Sequence, residues 1–268
     1  MATGGKPGWN WLLWAGFVLS VIAFLSYFAF FVEFPSTRNF PWANLLLFAI
    51  AAGLLAVGIR RTFRRPESYR GRIVGPILGG LSALIFGFFV FAIFVATRHL
   101  PASAAAPRVG AMAPEFTLTD SDNKPVSLAD LLTEPVGGTA PKGVMLVFYR
   151  GYWRPSCNSE LRGIQHHLSE LEARGIRVAA ISVDRPDASR NLRAKRGYTY
   201  TFLSDPDTAV IKRYDLLHPK AGPDEQDVAR PAEFLLDPSG TVRWVNLTEN
   251  YWIHPTPGQL LQATSALR

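Results

Sequence analysis

Residues Val144 to Glu160 have the sequence VMLVFYRGYWRPSCNSE and contain the only cysteine of the chain, Cys157. The apolar and aromatic run at the start of this stretch predicts a buried strand, which Gly151 then ends. Pro155 predicts the first turn of a helix, and Cys157 would lie in that turn. Unpaired backbone N–H groups and the helix dipole favour an anion at such a position, so the stretch predicts a nucleophilic thiolate.

Basic and aromatic side chains surround the predicted thiolate. Arg154 and Arg150 add positive charge beside it. Tyr149 and Trp153 are expected to form walls of its pocket rather than a binding site for a cofactor. Pro155, at the predicted start of the helix, is expected to line the same pocket.

The strand, the turn from Trp153 to Cys157 and the following helix resemble the active-site segment of the thioredoxin-like superfamily. The resemblance is to the peroxiredoxin branch in particular, that of alkyl hydroperoxide reductase and thiol-specific antioxidant. In that branch the turn is Thr-x-x-Cys followed by x-x-Glu, which matches Cys157 and Glu160. The resemblance implies that Cys157 is the peroxide-reacting thiol. Arg154 stands where peroxiredoxins have threonine and thioredoxins have their first cysteine.

A second segment, RPAEFLLD at 230–237, strengthens the resemblance, which covers roughly residues 109–268. Thioredoxin-like proteins have a cis-proline opposite the active-site turn, and Pro231 matches it as a further pocket residue. Peroxiredoxins have an arginine nearby that holds the peroxide and stabilises the thiolate, and Arg230 is the nearest candidate. Glu160 would orient an arginine through charge-assisted hydrogen bonds.

The resemblance implies reduction of hydroperoxides through a sulfenic acid on Cys157. A single cysteine excludes an internal disulfide, so the reductant would be an external thiol. Two alternatives stay open. One is a thiol–disulfide protein of the cytochrome-maturation type that has lost its first cysteine and acts on a protein thiol. The other is a redox-inactive binding scaffold in which Cys157 is a small buried hydrophobic residue.

The sequence predicts no metal and no other cofactor. No group of His, Asp and Glu residues has the spacing of a metal site. His218 and His254 fall in predicted loops and are expected to have surface roles.

The net charge of +7 does not indicate a nucleic-acid partner. Residues 1–72 contain eight Lys or Arg and two Asp or Glu residues, which gives +6 and leaves +1 for the remainder. The remainder is nearly neutral and has no basic stripe interleaved with aromatic residues, so the sequence argues against nucleic-acid binding.

Three apolar blocks predict a membrane domain over residues 1–97. Residues 9–32, 42–59 and 73–97 are each about long enough to cross the hydrocarbon core of a bilayer, so lipid is an expected partner. The arginine-rich loop at 60–72 is expected to stay in the cytoplasm. This places the N-terminus inside and everything after Thr97 outside, in the periplasm if the membrane is a bacterial inner membrane.

Residues 98–114 are rich in Ala and Pro and predict a linker, which we expect to remain uncleaved. Residues 115–268 predict a thioredoxin-like α/β domain: a mixed central sheet, helices on both faces, and the strand before Cys157 in the middle. The predicted elements are hairpins at 116–128 and 232–247, helices at 158–174, 187–196, 209–214 and 259–267, and strands at 178–183 and 202–203.

Overall fold

The computed structural model describes residues 8–251 and 253–267, and the chain divides into two units after Arg98. Four helices form the first unit: α1 Trp11–Ala29, α2 Pro35–Arg38, α3 Trp42–Arg64 and α4 Val74–Val90. A π-helical turn and a 3-10 turn extend α4 to Arg98. Three helices, at Trp11–Ala29, Trp42–Arg64 and Val74–Arg98, are long and apolar enough to cross a membrane. They match the three predicted blocks, and the second is five residues longer than expected.

Polar side chains and one glycine join α1 to α3. Asn44 donates a hydrogen bond from Nδ2 to the Ala23 carbonyl at 2.7 Å. Gly16 lies so close to α3 that a Cβ atom there would be 2.7 Å from Cγ of Leu55. The hydrocarbon interior of a membrane offers no hydrogen-bond partners to polar groups. Helices that cross a membrane therefore pack through small residues and internal hydrogen bonds, as these helices do.

The second unit, residues 99–268, is built on a mixed sheet. Its strands are β1 Thr117–Asp120, β2 Pro125–Ser127, β3 Gly143–Phe148, β4 Ile176–Ser182, β5 Thr201–Ser204, β6 Leu217–His218, β7 Val228–Ala229, β8 Ala232–Leu236 and β9 Val242–Leu247. Seven of them pair in the order β2-β1-β5-β4-β3-β8-β9, and β6 pairs with β7. Strands β3, β4 and β5 are parallel, whereas β8 pairs antiparallel with β3 and β9 pairs antiparallel with β8. The strand before Cys157 is therefore internal, as predicted.

Helices cover the sheet and complete two hydrophobic cores. They are α5 Leu128–Thr133, α6 Pro155–His166, α7 Leu168–Ala173, α8 Pro186–Arg196, α9 Ala209–Arg213 and α10 Pro257–Ala263. Alternate residues of β3 point to opposite faces of the sheet. Phe148 enters the first core with Phe234 and Tyr214. Met145 enters the second core with Cys157. Helix α6, which carries Cys157, thus lies on the sheet face of the second core.

The helix predicted at 158–174 is instead two helices, α6 and α7. His167 has φ −109° and ψ 9°, outside the helical range, and separates them. Leu168 and Leu171, beyond the break, remain in the second core. The apolar spacing that predicted one helix is therefore satisfied by two helices packed on the same face.

The first part of the predicted linker lies against the second unit. Arg230 donates hydrogen bonds to the carbonyls of Pro101 and Ala102 at 2.6 and 3.0 Å. The Ala105 N–H donates to Oδ2 of Asp215 at 2.8 Å. These residues are therefore part of the domain's structure.

We expect a fragment of residues 99–268 to be more stable than one of residues 109–268. Removing residues 99–108 leaves a buried guanidinium without two carbonyl acceptors, and hydrogen bonds to charged groups contribute about 1.5–3 kcal/mol each. Urea unfolding should give a free energy about 2–4 kcal/mol lower for the shorter fragment. In an Arg230→Ala background the same truncation should cost far less. Equal unfolding midpoints for the two fragments would contradict this assignment.

Candidate functional site

The turn between β3 and α6 is shaped by Gly151. Its φ of +147° is a conformation that residues with a side chain rarely adopt. A Cβ atom there would also lie 2.5 Å from Nε1 of Trp153. Beyond it, the Tyr152 N–H donates to Oδ2 of Asp184 at 2.9 Å. The glycine that was predicted to end the strand therefore allows the chain to turn into α6.

Cys157 is the third residue of α6, as predicted. Arg154 is the N-cap and Pro155 is the first helical residue. The first turn of a helix has N–H groups without intrahelical acceptors, and their dipoles favour negative charge. The Cys157 side chain is 0% exposed and lies in the second core. The thiol is therefore shielded from solvent in this structure.

Two arginines share one aromatic ring next to this turn. The guanidinium carbon Cζ of Arg154 lies 4.2 Å from the ring centroid of Tyr251, and that of Arg150 lies 4.9 Å from it. Arg154 also lies 5.6 Å from the Trp153 ring. Cation–π contacts hold guanidinium groups without neutralising their charge. The ring therefore keeps two cations at the start of α6.

Arg150 is the more deeply buried of the two, at 2% exposed. Burial, and then the Arg154 guanidinium, lower the pKa of Arg150 to about 10, whereas Cys157 and Tyr251 act in the opposite direction. Arg150 therefore remains charged at neutral pH and interacts with the thiol electrostatically.

His218 fixes one edge of the Arg150 guanidinium. Nη1 of Arg150 lies 3.1 Å from Nδ1 of His218, and Nη2 donates to the Ala221 carbonyl at 2.6 Å. A guanidinium can only donate, so Nδ1 accepts and the imidazole is neutral. Burial, and then the charge of Arg150, lower the pKa of His218 to about 4. His218 is therefore part of the site rather than the surface residue expected.

The neutral state of His218 predicts loss of stability in acid. The folded pKa is about 4 and the unfolded pKa 6.5, so the unfolded chain binds more protons between these values. Stability should therefore fall as pH decreases from 6.5 towards 4, by about 1–2 kcal/mol after allowing for solvent screening. Unfolding of the 99–268 fragment by urea at pH 7 and pH 4.5 measures this difference. His218→Gln keeps a hydrogen-bond acceptor and should reduce the pH dependence of the unfolding free energy. His166→Gln, at an exposed position, should leave that pH dependence unchanged. Equal pH dependence in the wild type and in His218→Gln would contradict the neutral state of His218.

The Arg230 guanidinium is engaged with backbone carbonyls. It donates five hydrogen bonds to carbonyls, those of Pro101, Ala102, Leu247 and twice Thr248. A guanidinium has five N–H groups, so these bonds use all of them. Arg150 rather than Arg230 provides the buried guanidinium next to the thiol. The charge of Arg230 still contributes to the lowered pKa of His218.

The remaining predicted pocket residues lie in different environments. Tyr149 is fully buried in the second core, with its ring 6.2 Å from that of Phe202. Trp153 is half-buried and packs against the first core, whereas Pro155 is exposed. Pro231 is buried, but its peptide bond is trans, because the described residues contain no cis peptide bond. The expectation of a cis-proline is wrong.

Glu160 joins a buried cluster one turn further along α6. Its Oε2 atom lies 2.7 Å from Nδ1 of His254, where an arginine was expected. Glu233, from β8, completes the cluster, and one ligand atom from each of the three residues lies within 4.8 Å of the others. Their exposures are 5%, 0% and 1% for Glu160, Glu233 and His254. The expected surface role of His254 is therefore wrong, and burial, followed by the charge of Glu160, raises the pKa of Glu233 well above its usual range.

The sequence does not assign a site role to four residues that lie near Arg150 or Glu160: His218, Glu233, Tyr251 and His254. Only Glu233 had a local signal, because it is an acidic residue inside the buried strand sequence AEFLL. The other three lie at or beyond the ends of regular elements, where no periodic pattern places a side chain.

The parallel βαβ unit, the antiparallel pair after it and a cysteine in the first turn of the connecting helix define a thioredoxin-like thiol protein. Residues 109–245 match the AhpC/TSA family model. The chain belongs to this family. It is 32% identical over 143 residues to "Alkyl hydroperoxide reductase E" of Mycobacterium tuberculosis, covering 53% of this chain and 86% of the relative. It is 28% identical over 140 residues to "Peroxiredoxin Bcp" of Escherichia coli, covering 52% and 84%.

Solved structures show the same fold. "Peroxidoxin BcpB" of Mycobacterium tuberculosis has a TM-score of 0.50 at 21% identity, covering 60% of this chain and 97% of the other. A "peroxiredoxin-like protein" from Aquifex aeolicus has a TM-score of 0.51 at 19% identity, covering 61% and 89%. The predicted thioredoxin-like fold is confirmed, and residues 1–108 and 246–268 lie outside the family match.

Proposed function

We propose that this chain is a membrane-anchored thiol peroxidase that reduces hydroperoxides through Cys157. The observation that carries the proposal is the position of Cys157 in the first turn of α6, with Arg150 and Arg154 held beside it on the Tyr251 ring. Both the helix dipole and two cations favour the thiolate, which is the nucleophilic form. Membership of the AhpC/TSA family, with peroxiredoxin relatives, supports the same chemistry.

The reaction begins when the Cys157 thiolate attacks one oxygen of the hydroperoxide. The S–O bond forms as the O–O bond breaks, and the leaving alkoxide or hydroxide takes a proton from solvent. Cys157 is then a sulfenic acid. An external thiol condenses with it to give a mixed disulfide and water, and a second thiol releases the reduced enzyme and a disulfide. The external thiol is needed because the chain has one cysteine.

Arg154 and Arg150 would act on the oxygen that leaves. Fixed cations directed at a developing negative charge stabilise the transition state more than the ground state. Arg154 takes the threonine position of the peroxiredoxin turn and offers N–H donors in place of a hydroxyl. Glu160 would position α6 through His254, and Arg230 would hold the chain around the site.

Trapping of the sulfenic acid tests this proposal. The full chain, reduced and in detergent, is treated with one equivalent of hydrogen peroxide or cumene hydroperoxide and then with dimedone. Mass spectrometry should find the adduct on Cys157 in most molecules. Alkylation of the thiol before peroxide is the control and should prevent it. An unmodified Cys157 under conditions that oxidise a free thiol would overturn the proposal.

A redox-inactive scaffold is the second candidate, favoured by the complete burial of Cys157. Buried thiols in apolar surroundings are inert. Slow alkylation of the native chain, combined with no sulfenic acid, would select this candidate.

We further propose that the family domain lies outside the cytoplasm. Residues 60–72, which include the end of α3 and the connection to α4, contain six arginines and one glutamate, and short arginine-rich segments of this kind remain cytoplasmic. Three helices long and apolar enough to cross a membrane support this orientation, in which residues 99–268 would lie on the opposite side.

A reporter fused to the C-terminus tests this orientation. Alkaline phosphatase, which folds only outside the cytoplasm, should be active there, and green fluorescent protein should not fluoresce after export through the general pathway. Replacing the arginines of the loop with glutamine should weaken the preference. A fluorescent, phosphatase-negative pair of fusions would show the opposite topology.

A further inference from the structure

Glu160, Glu233 and His254 form a second cluster of ionisable side chains in this domain, apart from the residues around Cys157. Glu160 lies on α6, Glu233 on β8 and His254 in the segment between β9 and α10. Glu233 shares the sheet face of Leu235, which packs in the second core behind Cys157. The three side chains thus meet inside the domain although they are far apart in sequence.

Two of these side chains are carboxyls that face each other away from water. Burying like charges together costs several kcal/mol unless something positive lies between them. Among the described residues, Oε1 of Glu233 and Nε2 of His254 have no hydrogen-bond partner, although both residues are at most 1% exposed. The geometry therefore requires either a shared proton or a cation.

We propose that Glu160, Glu233 and His254 bind a divalent transition-metal cation, with Zn²⁺ as the best fit. Two carboxylates and one neutral imidazole balance a double positive charge, and mixed N and O ligands suit Zn²⁺. Bonds of about 2.0–2.1 Å in a tetrahedral site separate ligand atoms by about 3.3 Å. The present separations, from 2.7 Å for Glu160 Oε2 and His254 Nδ1 to at most 4.8 Å, bracket this value.

A neighbouring side chain orients one of the carboxylates. Nδ2 of Asn246 donates to Oε2 of Glu233 at 2.6 Å, across the β8–β9 pair. Metal-binding carboxylates characteristically have such supporting hydrogen bonds. Asn246 leaves Oε1 of Glu233 available as the ligand atom.

A hydrogen bond lies next to His254. The Oγ1 hydroxyl of Thr248 donates to the Ile253 carbonyl at 3.1 Å. With the cation bound, α6, β8 and His254 would be joined. Three protein ligands would leave the fourth position of a tetrahedral site open to water.

Zinc binding by the full chain tests the proposal. A Cys157→Ser background removes the thiol as a ligand, so the result is independent of peroxidase activity. The chain is purified in detergent, treated with chelator, exposed to ZnCl₂ and freed of excess metal by gel filtration. We expect about one zinc per chain by mass spectrometry. At zinc concentrations about 100-fold above Kd, Tm should rise by about 5–10 °C.

Matched variants separate this site from adventitious binding. Glu233→Gln and His254→Gln should each lower retained zinc at least tenfold and remove the rise in Tm. His166→Gln, at an exposed histidine, should retain full zinc. Should the first two variants fail to fold, X-ray absorption of zinc in the parent should show N and O ligands with one imidazole. Zinc absent after gel filtration, or equally retained by the Glu233→Gln variant, overturns the proposal and assigns a shared proton to the carboxyl pair.

Discussion

Replacing Cys157 with serine should reduce peroxide turnover to the uncatalysed background, a loss of about 10³-fold or more. A serine hydroxyl at this position stays protonated, because no general base is part of the proposed mechanism, and its oxygen is a weak nucleophile. The measurement is consumption of hydrogen peroxide by the full chain in detergent with dithiothreitol as the external thiol. Residual activity should not depend on protein concentration.

The control for this substitution is structural. Serine is close in size to cysteine, and position 157 is fully buried in the second core. Far-ultraviolet circular dichroism and Tm should therefore change little, with a loss of at most about 1–3 kcal/mol for burying a hydroxyl. Turnover in Cys157→Ser equal to that of the wild type would contradict the assignment of Cys157 as the nucleophile, whatever the fold.

The sequence was sufficient for the fold because periodic patterns determine it. The buried run before Gly151 became β3, and the hairpin at 232–247 became β8 and β9 with the same bounds. Apolar length alone identified the three long helices. The break at His167 was not predictable in this way, because Leu168 and Leu171 beyond the break continue the apolar spacing of Leu161 and Ile164 before it.

The site was predictable only where it follows the chain locally. Cys157 and Arg154 lie on one turn, and their placement follows from the start of α6. Long-range packing brings Tyr251, which follows β9, and His218, the last residue of β6, to Arg150. A chain position alone does not reveal such contacts, since loops carry no periodicity.

The arginines show how resemblance and geometry can select different residues. The family resemblance implies that Arg230 is the arginine that holds the peroxide. In the structure that side chain binds carbonyls of residues 101, 102, 247 and 248. Arg150 is the buried, charged guanidinium that interacts electrostatically with Cys157.

Exchanging Arg150 for glutamine should slow oxidation of Cys157 by about 10²–10³-fold. This is the effect of removing one fixed donor that stabilises developing negative charge. Arg150→Lys should recover part of the rate, because it retains a cation but not the planar guanidinium that contacts His218 and the Ala221 carbonyl.

Arg230→Gln is the comparison variant. It should leave the rate constant of the folded protein within about threefold and lower Tm instead, since its bonds hold the chain together. Stopped-flow Trp fluorescence after mixing with hydrogen peroxide gives the rate constants, and circular dichroism gives Tm. If oxidation of Cys157 is slow in Arg230→Gln and fast in Arg150→Gln, peroxide binding is assigned to Arg230, and Arg150 has a packing role only.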